Sequence, residues 1–200
     1  MLNGLRVGTD LNYVGNLLFN ENVSQYEING DLDLNRYLIS YAYGIANYQR
    51  IGETFTYQTN GSYFKAGLDV NFINNLEGNN AVFVGLRYAQ SGFSASLDRV
   101  FLNEDGSVDQ MSSWEENDLS SFWFEGLVGI KVDVWQNIHM GFTVSNRFLN
   151  SISGEDDLLA YEVPGFGHAE AGSLWRFNYT IQYYIPFRKQ KSPEASTPSQ

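Results

Sequence analysis

The sequence predicts an all-β chain, an eight-stranded antiparallel up-and-down transmembrane β-barrel with long extracellular loops and short periplasmic turns. Three observations predict it. Apolar and polar residues alternate with a period of two in eight separate stretches. The connections between those stretches alternate long and short. The apolar face of each stretch is almost free of charge, whereas the other face carries cations, carboxylates and glycines.

The first stretch runs from Gly4 to Tyr13, with Leu5, Val7, Thr9, Leu11 and Tyr13 on one face. A loop, Val14 to Asn22, leads to Val23 to Leu34, where Tyr26, Ile28, Leu32 and Leu34 oppose Gln25, Glu27, Asn29, Asp31 and Asp33. Only Asn35 and Arg36 precede the third strand, Tyr37 to Ala46. A longer connection, Asn47 to Gly61, precedes the fourth, in which Phe64, Ala66, Leu68 and Val70 oppose Lys65, Gly67 and Asp69. The turn Asn74 to Asn80 is rich in Asn and Gly, which tolerate positive φ. Strand five sets Val82, Val84, Leu86 and Tyr88 against Phe83, Gly85, Arg87 and Ala89.

An acidic segment follows, Gly92 to Leu119, with Asp105-Gly106 near its middle. Asp-Gly between β-prone runs marks a hairpin tip, so this segment is expected to project as a ribbon. Strand six opposes Phe122, Phe124, Val128 and Ile130 to Trp123, Glu125, Leu127 and Lys131. After a tight turn at Trp135-Gln136-Asn137, strand seven opposes Met140, Phe142 and Val144 to His139, Gly141, Thr143, Ser145 and Arg147. A second long loop, Leu149 to Ser173, leads to the closing strand, Leu174 to Phe187. There Trp175, Phe177, Tyr179, Ile181, Tyr183 and Phe187 share one face. Residues 1–188 form one domain, and 189–200 read as a disordered tail.

Alternation does not say which face lines the barrel. A soluble calycin-like ligand-binding barrel would carry its apolar residues inside. Three features favour the opposite. The polar face is studded with glycine, which suits a narrow interior. Its charges nearly balance, as a desolvated interior requires. The apolar face has the near-absence of charge that lipid demands. The expected interior ladder is Arg6, Asp10, Glu27, Asp31, Asp33, Lys65, Asp69, Arg87, Glu125, Lys131, Arg147 and Arg176. Side chains of that size should fill an eight-stranded lumen. Tyr37, Phe72, Tyr183 and Phe187 would form one aromatic girdle and Tyr13, Tyr43 and Trp175 the other.

The composition excludes several classes. With no cysteine there is neither a disulfide nor a thiolate metal site. A formal net charge of −11 disfavours nucleic acid. No run of about 18 apolar residues predicts a membrane helix. The chain contains no signal peptide, so an outer-membrane location implies one on its precursor.

With the strands placed, the segments GLRVGTD (Gly4 to Asp10), NRY (Asn35 to Tyr37), GSYFKAGLDVN (Gly61 to Asn71), FVGLRY (Phe83 to Tyr88), YEVPGFG (Tyr161 to Gly167) and FNYTIQYYIPFR (Phe177 to Arg188) together resemble an uncharacterised family of small eight-stranded outer-membrane β-barrel proteins from Bacteroidota. The resemblance implies an outer-membrane location and supplies no catalytic residues.

No nucleophile, base and acid share a spacing that suggests catalysis. His139 reads as an interior side chain and His168 as a loop residue, which leaves an enzyme acting on lipid or lipopolysaccharide as the alternative. The acidic loops could take a divalent cation, although NEDGSVD lacks the ligand order of an EF-hand. The expected role is a non-enzymatic accessory or interaction subunit of an outer-membrane complex, barrel-assembly or another envelope machine. Its contacts would be membrane lipid, lipopolysaccharide and another envelope protein. Trp114, Glu115, Glu116, Tyr161 and Phe166 are the candidate partner-binding loop residues.

Overall fold

The structure, a computed structural model, describes residues 2–19, 23–73, 80–103 and 107–187, without the side chains of 16–19. The Asp105-Gly106 tip, most of the Asn74 to Asn80 turn and the 189–200 tail lie outside the described residues. In chain order the elements are β1 (Gly4–Asp10), α1 (Leu11–Phe19), β2 (Val23–Leu34), β3 (Tyr37–Ile51), β4 (Phe55–Asn71), β5 (Ala81–Leu102), β6 (Val108–Trp135), β7 (Ile138–Ser153), β8 (Glu162–Val163), β9 (Gly167–His168), a 3₁₀ turn (Ala169–Ala171) and β10 (Ser173–Pro186). Eight strands close into a ring in the order β1-β10-β7-β6-β5-β4-β3-β2, and β8 pairs with β9 in a small separate hairpin.

The register sets the geometry of the ring. Direct partners lead from Gly4 through Asp33, Leu38, Asp69, Gly85, Leu127 and Ser145 to Arg176. Gly4 itself pairs with Pro186, ten positions further along β10. A shear of ten over eight strands, at about 3.3 Å rise and about 4.8 Å spacing, tilts the strands by about 40° and leaves a radius of about 8 Å. That tilt suits a transmembrane barrel, and that radius leaves room for side chains alone.

Burial settles which face points inward. Arg6, Asp31, Asp69 and Glu125 are at most 2% exposed, whereas Ile28, Tyr43, Leu86 and Phe177 are 54–72% exposed. The lumen is polar and the wall apolar, the reverse of a soluble calycin. Glycines let the lumen pack. Gly44 on β3 faces Tyr63 on β4, and the Tyr63 ring lies where a Cβ would stand. An aromatic ring folded over a strand glycine compensates for its missing side chain.

Four features differ from the sequence reading. First, β1 ends at Asp10 rather than Tyr13, because the Asp10 carboxylate accepts the Asn12 N–H at 2.9 Å and so caps α1. Tyr13 is therefore a buried helix residue and not part of an exposed girdle. Second, the Asn47 to Gly61 connection is mostly strand, and β3 and β4 are joined through 52–54. Third, the expected ribbon is continuous with the wall. β5 and β6 pair from Ala81–Lys131 to Leu102–Val108, whereas β6 loses β7 beyond Ser120–Ser153. Fourth, the closing strand runs Ser173–Pro186, and Pro186 fits its end. The Tyr184 N–H points toward β7, to Asn137 O at 2.8 Å, and the Phe187 N–H toward β1, to Asn3 O at 2.9 Å. The missing donor of Pro186 thus faces the side where β7 has already turned away.

That turn holds Gln136 at φ 37° and Asn137 at φ 72°, the left-handed pair that a two-residue hairpin needs. The wall is tallest along β4, β5 and β6 and lowest at β1.

Gly44→Leu should expel the Tyr63 ring and reduce the yield of folded barrel in detergent refolding several-fold. Refolding at the parent yield would contradict this packing.

Candidate functional site

Period-two alternation puts every second residue of each strand in the lumen, and the shear decides which of them meet. Near the turn end, Arg6 spans Asp31 at 2.6 Å and Asp33 at 3.1 Å, and Lys131 reaches Asp31 from the opposite wall. Beside them Arg87 pairs with Asp69 at 3.3 Å. Higher up, Lys65 lies 3.1 Å from Glu27 and 3.7 Å from Glu125, and Arg147 Nε lies 2.9 Å from Glu125.

Neutral donors complete the upper cluster. Trp123 Nε1 donates to Glu125 at 2.9 Å, and the Tyr63 hydroxyl donates to Glu27 at 2.8 Å. Gln25 and Tyr48 continue the chain of bonds. Tyr63, Gln25 and Tyr48 were not singled out in the sequence, although parity alone places Gln25 and Tyr63 inside.

Asp10 differs from the other carboxylates of the ladder. It is buried at the foot of α1, where it accepts from the Asn12 N–H and the Asn178 side chain. Arg176 departs from the expectation. Its position on β10 is inward, but it stands at the loop-end mouth and is exposed, so it does not join the buried ladder. Between the charged clusters the lumen retains about 40 Å³, space for one or two waters.

The loop end is closed by the segment between β7 and β10. Val163 and Phe166 are fully buried in it, together with Leu158 and Ala160, against Tyr57, Tyr63, Phe93, Leu119 and Trp123. Phe166 meets Trp123 edge-on at 5.8 Å between ring centroids. Arg147 Nη1 donates to Gly165 O at 2.7 Å and to Phe166 O at 3.3 Å, so one guanidinium ties the charged ladder to the lid. Gly165 at φ 81° lies directly on Tyr63, a backbone shape and a close approach that suit glycine. The Tyr57 hydroxyl accepts the Tyr161 N–H at 3.0 Å. Phe166 is thus an internal plug rather than an exposed docking anchor.

The other candidate loop residues have mixed fates. Trp114 is half-buried against the lid cluster. Glu116 accepts the Asp157 N–H at 2.8 Å, and Tyr161 is half-buried, bonded by Arg50. Glu115 stays exposed. Among the described residues no group of three or more His, Asp and Glu side chains is placed to hold a metal ion.

The two histidines lie at opposite ends of the barrel. His139 is fully buried near the β6–β7 turn, its ring 5.6 Å from that of Tyr184. His168 lies in the lid hairpin, its Nδ1 3.1 Å from Tyr161 O. On the closing strand Trp175, Phe177, Tyr179 and Tyr183 face outward and are exposed, as is Phe187 just past its end.

A tilted ring with an ion-paired interior and an apolar exterior defines a transmembrane-type β-barrel. Within that class the chain belongs to the DUF6048 family, described as a domain of unknown function, which matches residues 2–190. No curated protein matches the sequence. Among solved structures it is similar to CarO2 of Acinetobacter baumannii, at 10% identity and a TM-score of 0.40, covering 92% of this chain and 99% of that one. CarO of the same organism follows at 7% identity and a TM-score of 0.38, covering 92% and 98%. At that level of similarity neither bears on function.

Removing one member of a buried ion cluster leaves the others uncompensated, at a cost of about 3–5 kcal/mol. Glu125→Ala leaves Arg147 without a carboxylate and Lys65 with Glu27 alone, and should lower the unfolding free energy obtained from urea titration of the folded barrel in detergent by that amount. A shift below about 1 kcal/mol would show that the upper cluster is not integral to the fold.

Proposed function

We propose that this chain is an integral outer-membrane barrel with a sealed, non-conducting lumen, acting as a non-enzymatic accessory subunit of an envelope protein complex. The observation that carries the reading is the division of the molecule into a filled interior and one raised, uncovered element. The lumen is occupied by paired charges, and its loop end is plugged by Val163 and Phe166. The β5–β6 ribbon rises above the rest of the wall.

The ribbon offers what a partner could use. Leu102, Val108 and Met111 are 50–72% exposed above the wall, interspersed with Asp109 and Glu115. Exposed apolar side chains rimmed by charge mark interaction surfaces. Trp114 and Glu116 anchor the base of the ribbon to the lid, so it leaves the barrel in a fixed direction. The exposed aliphatic and aromatic band around the ring supports the membrane location.

Two measurements test this reading. The folded protein should migrate faster in SDS before boiling than after it, and should give no steady conductance in planar bilayers. Stable single-channel steps would remove the sealed lumen. Replacing residues 100–111 with an Asn-Gly turn should leave the heat-modifiable barrel intact while releasing the proteins that co-purify with it from native membranes in mild detergent. Purification of the unaltered chain alone and monomeric would remove the accessory role.

A further inference from the structure

The ring is not closed over its full height. β1 pairs with β2 only up to Thr9–Ile28 and with β10 only up to Asp10–Thr180. Above that level, among the described residues, β2 continues to Val23 paired only with β3, and β10 continues back to Ser173 paired only with β7. Two strand edges therefore face one another across a gap where β1 is missing, and α1 lies across it. Side chains satisfy part of the exposed backbone. Thr9 Oγ1 donates to Glu27 O at 2.7 Å, and Asn12 Nδ2 donates to Phe177 O at 2.6 Å.

Two cavities meet at this seam. One, of about 530 Å³, is polar and enters between the edges, lined by Val23, Tyr48, Glu162, Trp175, Arg176 and Asn178. The other, of about 560 Å³, is apolar and runs down the outer wall along Val7, Val14, Tyr26, Ile28, Tyr43 and Ile45. Tyr13 and Gln25 line both, so the cavities adjoin.

The polar cavity holds two opposite charges that no ion pair among the described residues takes up. Arg176 is exposed at its mouth, whereas Arg147 is already engaged by Glu125 and by the lid carbonyls. Glu162, in the lid, is half-buried. Burial pushes its carboxyl above the ordinary range, against the pull of His168, Arg176 and Arg50.

We propose that the seam binds one lipid-like amphiphile with a phosphoethanolamine-type headgroup. Its phosphate meets Arg176, its ammonium meets Glu162, and its hydrocarbon chain lies in the groove along Ile28 and Tyr43. A guanidinium pairs well with phosphate oxygens, and a half-buried carboxylate that forms no ion pair among the described residues is well matched by an ammonium. Trp175 at the mouth is placed as an interfacial aromatic beside the headgroup. The inference rests on the membrane reading, because the apolar groove would otherwise face water.

Native mass spectrometry of the detergent-folded barrel tests it, with folding of every variant first checked by heat-modifiable migration so that a failed barrel is distinguished from a failed site. The probes are lysophosphatidylethanolamine, lysophosphatidylglycerol, and glycerophosphoethanolamine, which has the headgroup and no chain. One lysophosphatidylethanolamine should be retained about tenfold more strongly than lysophosphatidylglycerol, and glycerophosphoethanolamine should be lost. Arg176→Ala should weaken retention about tenfold, and Glu162→Gln should abolish the preference over lysophosphatidylglycerol. Equal retention of both lysolipids by the unaltered chain, retention of the chainless headgroup, or indifference to both substitutions would overturn the proposal. Ile28→Trp, which fills the groove without touching either charge, should also displace the lysolipid, and unchanged binding there would refute the placement of the chain.

Discussion

The structure depends on one constraint: a charge on the inward face of a narrow barrel must find its opposite within that barrel. Asp31 shows how this is met. It is fully buried on β2, beside Arg6 on the neighbouring strand, and Lys131 reaches it from across the lumen although the two lie 100 positions apart in sequence. That meeting depends on ring size and shear together. A slip of one residue in any strand would turn its charges outward into the apolar band, where each costs several kcal/mol. The ladder thus fixes register as well as filling space. Arg147 extends the same logic to the lid, since its guanidinium serves Glu125 below and two lid carbonyls above.

The faces of the wall were legible in the sequence because β alternation is local. Arg6, Glu27, Asp31, Asp33, Lys65, Asp69, Glu125, Lys131 and Arg147 needed only parity to be placed inside, and they are buried there. Strand length was not legible in the same way. Above the apolar band the selection for apolar residues relaxes, so Asn47 to Ile51 and Phe55 to Gly61 read as loop although they pair in register. Helix α1 was hidden for another reason. Leu11 and Tyr13 continue the alternation of β1, and only the reach of the Asp10 carboxylate to the Asn12 N–H ends the strand. Parity also placed Arg176 inward correctly, but height along the axis decides burial, and height follows from the shear. Phe166 needed the tertiary fold, because a loop aromatic docks inward or outward according to what lies beneath it, here Trp123.

The early end of β1 and the helix laid across the gap sit at the lowest side of the wall, opposite the tall β4–β5–β6 side on which the lid packs. The barrel is therefore asymmetric by construction. One side raises a ribbon above the rest of the wall, and the other leaves a seam between two strand edges. Between them the lumen is filled by paired charges.

The polarity of the wall is the central claim, and the absence of cysteine makes it directly measurable. Single cysteines at Leu86, Val128 and Phe177, each carrying a nitroxide spin label in lipid vesicles, should collide readily with dissolved oxygen and hardly at all with a water-soluble nickel chelate. The same label at Met111 on the ribbon should show the reverse. High chelate accessibility at all three wall positions would mean that the apolar face does not lie in lipid, and the inside-out reading of this barrel would fall.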